Sequence, residues 1–250
     1  MACGCEYYQF VTHNKTMRIG TVKQIWRYAV KSMGGEQLES CTVGLRGIPG
    51  DRGWVLKDET TGKFTTGGKN PLLMQCSARY REAPSNGFIP HVDMRFPDGV
   101  EAGSDLPDID RRLTQLIGKP VLLSASALGD QFDAFPIHVL TTASLEVMSR
   151  WNADANWDVR RFRPNFFIET EPGIEGLVEF GWKTLRVGNV ELQNEMPAER
   201  CAMTIHAQPE LAKDPSVLRS IVEVADQNLG IYASVIAAGE VRIGDPVNAD

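Results

Sequence analysis

No apolar run in the sequence approaches the roughly 18 to 20 residues that a membrane-spanning helix needs, so a helical integral membrane protein is excluded. The first residues, MACGCEYYQFVTHNK, lack the apolar middle of a secretory signal, which points to a cytoplasmic setting. There is no arginine-rich stripe interleaved with aromatics, and the net charge of −6 gives no general pull toward nucleic acid, so any anion site must be local. Histidine is scarce: His13, His91, His138 and His206 share no spacing suited to a metal site, and no Ser-His-Asp arrangement is legible. Cysteine is sparse and odd in number, with Cys3, Cys5, Cys41, Cys76 and Cys201 scattered along a chain large enough to fold without disulfides. A reducing compartment fits that usage. Cys3-Gly-Cys5 has no second pair or neighbouring histidine with which to close a four-ligand site. No internal repeat or low-complexity segment is present.

What is there reads as a globular protein with a substantial core, 42% of its residues being hydrophobic. Short strands punctuated by glycine and proline are expected at Thr21–Tyr28, Gly53–Lys57, Leu73–Tyr80 and Pro120–Ser124, with a hairpin turn at Thr60–Lys63. Leu106, Ile109, Leu113, Leu116 and Ile117 share a face, which predicts a packing helix stopped by Gly118. The chain then divides near Gly129, giving an N-terminal region of residues 17–128 and a second region of 129–250. The second region predicts strands at Ile137–Leu140, Asn165–Glu169, Thr184–Asn194, Cys201–His206, Ile231–Ile236 and Glu240–Ile243. One helix opens at Thr141-Thr142, and another is capped by Asp214 with Pro215 first and runs toward Gly230. Many strands, few helices and frequent glycine predict a mainly β (α+β) fold of barrel type, with a smaller β-rich region preceding the barrel.

Four stretches carry candidate chemistry. Gly62-Lys-Phe-Thr-Thr-Gly-Gly-Lys69-Asn superficially resembles a phosphate loop, but its lysine is one place too far on and no Ser or Thr follows. A nucleotide triphosphatase is thereby disfavoured, although Gly67-Gly68 beside Lys69 can still approach an isolated phosphate; a flexible hairpin end explains the same residues. Thr141-Thr142 places hydroxyls at a helix N-terminus, where an anion is favoured and where threonine also simply caps. Arg160-Arg161-Phe162-Arg163-Pro164-Asn165 concentrates guanidiniums at the entry to an apolar strand; such forks hold phosphates, and such clusters are also ordinary surface. Arg200-Cys201 sets a cation beside a sulfur, which favours the thiolate, against the alternative of a packing cysteine such as Cys41 or Cys76.

In order along the chain, these elements resemble the MOSC family, named after the C-terminal domain of molybdenum cofactor sulfurases and including amidoxime-reducing enzymes. The residues are Tyr28-Ala-Val-Lys31-Ser32, Gly44-Leu45 with Asp51-Arg52-Gly-Trp54, and Thr66-Gly-Gly-Lys69 in the first part. In the second part they are Asp133-Ala-Phe-Pro-Ile-His138-Val-Leu-Thr141-Thr142-Ala-Ser-Leu145, Arg161-Phe-Arg-Pro-Asn165, Arg200-Cys201-Ala-Met-Thr204, and the ending Gly230-Ile-Tyr232 with Gly239 through Val247. The resemblance implies a MOSC β-barrel domain after an N-terminal MOSC-type β-barrel domain. It implies a molybdenum cofactor (molybdopterin) whose metal takes a thiolate from Cys201. Lys31, Ser32 and Lys69 would line the cofactor's phosphate end, with Thr141, Thr142, Arg161, Arg163, Asn165 and Arg200 around the remainder.

The implied activity is an oxidoreductase acting on N-hydroxylated or other N-oxygenated small molecules. Its electrons would come from a separate donor protein of ferredoxin or flavin type, because the fused ferredoxin-like module of some relatives has no counterpart here. The sequence departs from the family's C-S-R-C by carrying Ala198-Glu199-Arg200-Cys201, and Lys69 stands where an arginine is usual. Two rival readings keep Cys201 central: a sulfur carrier with a persulfide on that residue, and a non-catalytic cofactor-binding protein. Larger proteins of the family join this domain to a pyridoxal phosphate-dependent desulfurase, but no lysine here stands in a setting that supports a Schiff base.

Overall fold

The computed structural model describes residues 16–85, 87–126 and 133–250. Cys3, Cys5, His13 and the chain division near Gly129 lie outside the described residues. In chain order the elements are β1 (Met17–Arg27), β2 (Glu36–Leu38), β3 (Ser40–Val43), β4 (Trp54–Asp58), β5 (Ser77–Tyr80), β6 (Val92–Arg95), β7 (Glu101–Gly103), α1 (Ile109–Ile117) and β8 (Val121–Ala125). They continue with β9 (Ile137–Thr141), α2 (Thr142–Trp151), β10 (Phe166–Thr170), β11 (Thr184–Val187), β12 (Val190–Glu199), α3 (Pro215–Ala225), β13 (Asn228–Ala237), β14 (Gly239–Arg242) and β15 (Pro246–Ala249). No helix among the described residues is long and apolar enough to cross a membrane.

Seven strands close on themselves in the order β10-β9-β13-β12-β11-β15-β1, with β1 returning to β10 and β2 attached outside the ring along β1. Every pairing in the ring is antiparallel except β9 with β10. Closure leaves no free edge in the ring. It requires backbone contact at Gly20, where a Cβ would lie 2.0 Å from the Glu169 carbonyl oxygen. The interior is filled from alternate positions, Ile137 and Val139 of β9, Phe166 and Ile168 of β10, and Ile231 and Ala233 of β13. Each of the Val, Ile and Phe side chains among these contributes about 2 kcal/mol by leaving water. On β1 the inward residues are Ile19, Val22 and Ile25, a spacing that breaks alternation because its register slips between Arg18 and Gly20 and again between Val22 and Gln24.

The remaining strands form a β4–β8 pair, a β5-β6-β7 meander and a β3–β14 ribbon. The first two share a core around Leu56, Leu73, Met94 and Leu113. Outside the ring, α2 and α3 cover Leu140, Phe162, Phe167 and Leu229. β1 belongs to the ring whose other six strands come from the second half of the chain.

Several local expectations are corrected. Leu73–Gln75 belong to a 3-10 helix over Pro71–Gln75, since Pro71 starts a turn that buries Leu73 and Met74, and only Ser77–Tyr80 is strand. Thr184–Asn194 splits into β11 and β12 at Gly188, whose φ is +56°. The turn after Asp58 returns through an isolated Lys57–Phe64 bridge, and β4 takes β8 as its partner. Ala202–Ile205 is a 3-10 turn and not a strand. The last helix stops at Ala225, ahead of Gly230, because Asp226 and Gln227 turn left-handed with φ of +51° and +68°.

Candidate active site around Cys201

Residues on β9 and β13 that alternate away from the ring's interior include His138 and Tyr232, and they face the first half of the chain. Between the two lies a cavity of about 410 Å³ lined by Arg52, Arg161, Arg163, Arg200, Cys201 and Glu199, among others.

Cys201 leaves the end of β12 in extended conformation, with φ −116° and ψ −177°. Its carbonyl accepts from the Thr204 backbone N–H at 3.1 Å and from the Thr204 hydroxyl at 3.0 Å. That pair of hydrogen bonds explains Thr three places after Cys: it pins the cysteine's peptide, and Cys201 is left exposed on the cavity wall. Cys41 and Cys76 are buried, and burial pushes both thiols up to about 12.

The segment Arg161–Asn165 ties separate pieces of the molecule together. Arg161, 1% exposed, donates to the carbonyls of Thr204 (3.3 Å), His206 (3.4 Å) and Ala212 (2.7 Å), so it holds the loop that presents Cys201. Burial pulls its pKa below the ordinary arginine value. The Phe162 carbonyl accepts from Arg200 Nη2 at 2.7 Å. Arg163, at φ +56°, donates to the Met33 carbonyl and stacks on Tyr28 at 4.1 Å. Burial and the neighbouring Arg52 lower Arg163 to about 10. Tyr28 donates to the Pro164 carbonyl at 3.1 Å. Asn165 accepts from the His138 backbone N–H at 3.0 Å and donates to the Trp26 carbonyl at 3.3 Å, joining β9 to β1.

Arg52 completes the basic wall from the first half, paired with Asp51 and lying over the Tyr28 ring at 5.1 Å from its centroid. Burial opposes its charge, but Asp51 and Asp133 outweigh burial and raise its pKa. Asp133 lies at the same wall; burial would raise its carboxyl, yet Arg52 and Lys31 hold it down at about 2. Lys31 Nζ meets Asp133 Oδ1 at 3.1 Å, which places Lys31 at the cavity's rim through that carboxylate. Arg200 is 7% exposed, and its Nε is buried with no partner in the protein.

The structure thus gathers Arg161, Arg163, Arg200 and Cys201 in one cavity, with Lys31 beside it. Ser32, buried at φ +72°, does not line the cavity, and Lys69 is exposed on the loop whose Thr66 and Gly68 do line it. Thr141 caps α2 by accepting from Ser144 N at 3.1 Å, and Thr142 pairs with the Thr170 hydroxyl at 2.9 Å; neither lines the cavity, nor does Asn165.

A family model described as the MOSC N-terminal beta barrel domain matches residues 19–141, and one described as the MOSC domain matches residues 126–248. The chain belongs to the MOSC family. Among similar proteins, "Mitochondrial amidoxime reducing component 2" of Bos taurus is 24% identical over 93% of this chain and 84% of its own length. The Homo sapiens protein of the same name is 26% identical over 93% and 84%. The crystal structure of the YUAD protein from Bacillus subtilis shares the fold, with a TM-score of 0.51 at 14% identity over 94% of this chain and 97% of that one.

The MOSC cavity also contains residues that sequence reasoning did not nominate: Arg52, Asp133, His138, Met196, Met203 and Tyr232. Arg52, Asp133, His138, Met203 and Tyr232 stand inside motifs that carry the family resemblance, so a signal for them was present. Met196 gave none, because it lies on a strand outside those motifs.

Proposed function

We propose that this protein is a molybdenum cofactor-dependent oxidoreductase that reduces N-hydroxylated or other N-oxygenated small molecules, with electrons from a separate donor protein of ferredoxin or flavin type. The observation that carries this reading is the exposed Cys201 thiol opening into a cavity walled by Arg52, Arg161, Arg163 and Arg200. The fit to an anionic, metal-bearing group rests on two features. Arg200 Nε is a buried donor awaiting an acceptor. In addition, Cys201 offers one exposed soft donor on the same wall, the type of protein ligand that suits a redox-active metal carried by its own organic ligand. The amidoxime-reducing names of the relatives agree with this class of chemistry.

In this reading the Cys201 thiolate is the protein's ligand to the metal, and Arg52, Arg163 and Arg200 hold the anionic parts. Arg161 and Asn165 position the walls. When bound, a molybdenum cofactor supplies a centre that exchanges two electrons and takes up an oxygen atom. Overall, for an N-hydroxy substrate the N–O bond breaks with two electrons and two protons consumed; nitrogen takes one proton and the departing hydroxyl takes the other and leaves as water. Tyr232 keeps its phenolic proton in the cavity, since burial raises its pKa. A cytoplasmic setting keeps the Cys201 thiol reduced.

The test is expression with cofactor supply, followed by molybdenum analysis and assay of N-hydroxylated substrates with an artificial electron donor. Wild type should carry molybdenum and turn over, and Cys201→Ser should lose both. Undiminished turnover by Cys201→Ser overturns the proposal. Exposure of the same thiol also suits a sulfur carrier, and a persulfide mass on Cys201 in molybdenum-free protein after incubation with a cysteine desulfurase would favour that second reading.

A further inference from the structure

The connection from β10 to β11, residues 171–183, lies as a cover on the ring and on α2. Ile174, Phe180 and Trp182 pack onto the core of the ring. Gly176 rests directly on the start of α2, where a Cβ would clash with the Ala143 carbonyl oxygen and stand 2.6 Å from Val147 Cγ2. The chain then turns through Leu177, left-handed at φ +68°, whose N–H donates to the Ser144 hydroxyl at 2.8 Å. A 3-10 turn over Val178–Gly181 follows and carries Glu179 to the inner side of the cover.

Glu179 is 0% exposed, and nothing proposed for Cys201 uses it. Its Oε1 accepts from the Ser144 hydroxyl, which Thr141 holds in turn at 3.0 Å. Its Oε2 is buried with no hydrogen-bond partner. Asn194 donates from Nδ2 to the carbonyls of Glu179 at 3.2 Å and Trp182 at 2.7 Å, and its Oδ1 is likewise buried without a partner. The cluster therefore lacks a donor. A proton on Glu179 supplies one and removes the cost of a buried charge.

No cation neutralises this carboxyl instead, since among the described residues Glu179 forms no ion pair. The charged groups of the elements around it are Glu146 and Arg150 on α2, Glu191 and Glu195 on β12, and Glu171, Glu175 and Lys183 in the connection itself, and all are exposed. His138 of β9, Glu199 of β12 and Tyr232 of β13 belong to the Cys201 cavity. Burial raises the Glu179 pKa above its ordinary value of 4.5, against hydrogen bonds from Ser144 and backbone N–H groups that lower it.

We infer that Glu179 is a proton-operated latch: as the neutral acid it locks residues 171–183 over the ring, and on ionising it releases them. A carboxylate in the closed form would leave Oε2 charged and unpaired, and outward movement of the connection is how it reaches water. The closed form holds the proton more tightly than the open form. Closure is therefore complete below about pH 4.5 and weakens as pH rises through the Glu179 pKa of the closed form. Release bares Ile174, Phe180 and Trp182 together with the core beneath them. The latch is independent of any cofactor at Cys201.

Hydrogen exchange of the full-length protein, read by mass spectrometry between about pH 5 and 9 and corrected for the chemical exchange rate, tests the latch. In wild type the opening of peptides spanning 171–183 should increase by up to about tenfold per pH unit above the closed-form pKa, while β12 and β13 stay protected. Glu179→Gln keeps the shape of the neutral acid and adds a donor, so it should stay closed across the range. Ser144→Ala takes a hydrogen bond from the carboxylate and should move the onset of opening to higher pH. Opening independent of pH in wild type, pH-dependent opening that survives Glu179→Gln, or an onset that fails to rise in Ser144→Ala overturns the latch. Should Glu179→Gln not fold, the wild-type and Ser144→Ala profiles decide.

Discussion

Arg200 Nη1 and His138 Nε2 face each other at 3.4 Å inside the protein. Burial and the adjacent guanidinium depress the His138 pKa to about 3, so the imidazole is neutral and its Nε2 lone pair accepts from Arg200. A neutral acceptor orients the arginine without cancelling its charge, and that charge stays available to the cavity beside Cys201.

The same depression makes stability fall in acid. Unfolded chains protonate histidine below its ordinary value of 6.5, whereas folded His138 resists until about pH 3, so protons favour the unfolded state between those limits. The expected slope is about 1.4 kcal/mol per pH unit from this one group. Urea titrations at pH 7, 6, 5 and 4 should show His138→Gln losing about one proton's worth of that slope relative to wild type. Parallel pH profiles would contradict a neutral His138.

Arg161 should matter to the shape of the site more than to its charge. Arg161→Ala removes donors from the carbonyls of Thr204, His206 and Ala212 and should cost about 3–5 kcal/mol. Arg161→Lys should recover little, because a single ammonium cannot reproduce the planar fork. Chemical denaturation measures both.

Gly230 has φ +76°, and a Cβ there would stand 2.5 Å from the Val139 carbonyl oxygen and 2.6 Å from His138 Nε2. Gly230→Ala should therefore destabilise the protein by at least about 2 kcal/mol and displace the imidazole from Arg200. Denaturation reads the first effect, and the chemical shift of the His138 ring reads the second.

Thr141→Ala should cost about 1 kcal/mol, the usual worth of a helix N-cap. Cofactor content should not change, since Thr141 is a cap outside the cavity lining. Loss of cofactor with stability intact would instead make Thr141 a ligand.

Brief treatment with iodoacetamide followed by peptide mapping should label Cys201 well before Cys41 or Cys76. The latter two are sealed in apolar cores, with thiols raised to about 12 by burial. Cofactor loading should then protect Cys201.

Much of the local structure was legible. Gly118 ends α1, Thr141 caps α2, and Asp214 with Pro215 opens α3, because caps depend on residues within one turn of each other. Around Cys201 the motif was legible but its conformation was not: alternation suggested strand over 201–206, whereas the Thr204 hydroxyl closes a tight turn on the Cys201 carbonyl. The role of Arg161 was hidden for a related reason. Besides Asn156 Oδ1, its side-chain partners are backbone carbonyls more than forty positions away, and carbonyls leave no trace in residue identity.

The sequence by itself determined the β-rich class, the helix ends, and the presence of Arg161, Arg163, Arg200 and Cys201 as the chemistry available, since these follow from periodicity and residue type. Only the tertiary structure decided that β1 closes the ring against β10, that Arg52 joins a wall built by the second half, and that Gln227 clamps Glu199. Those are contacts between distant parts of the chain. They arise from burying a shared core and satisfying the polar groups around it, a requirement of the whole molecule that no short window contains.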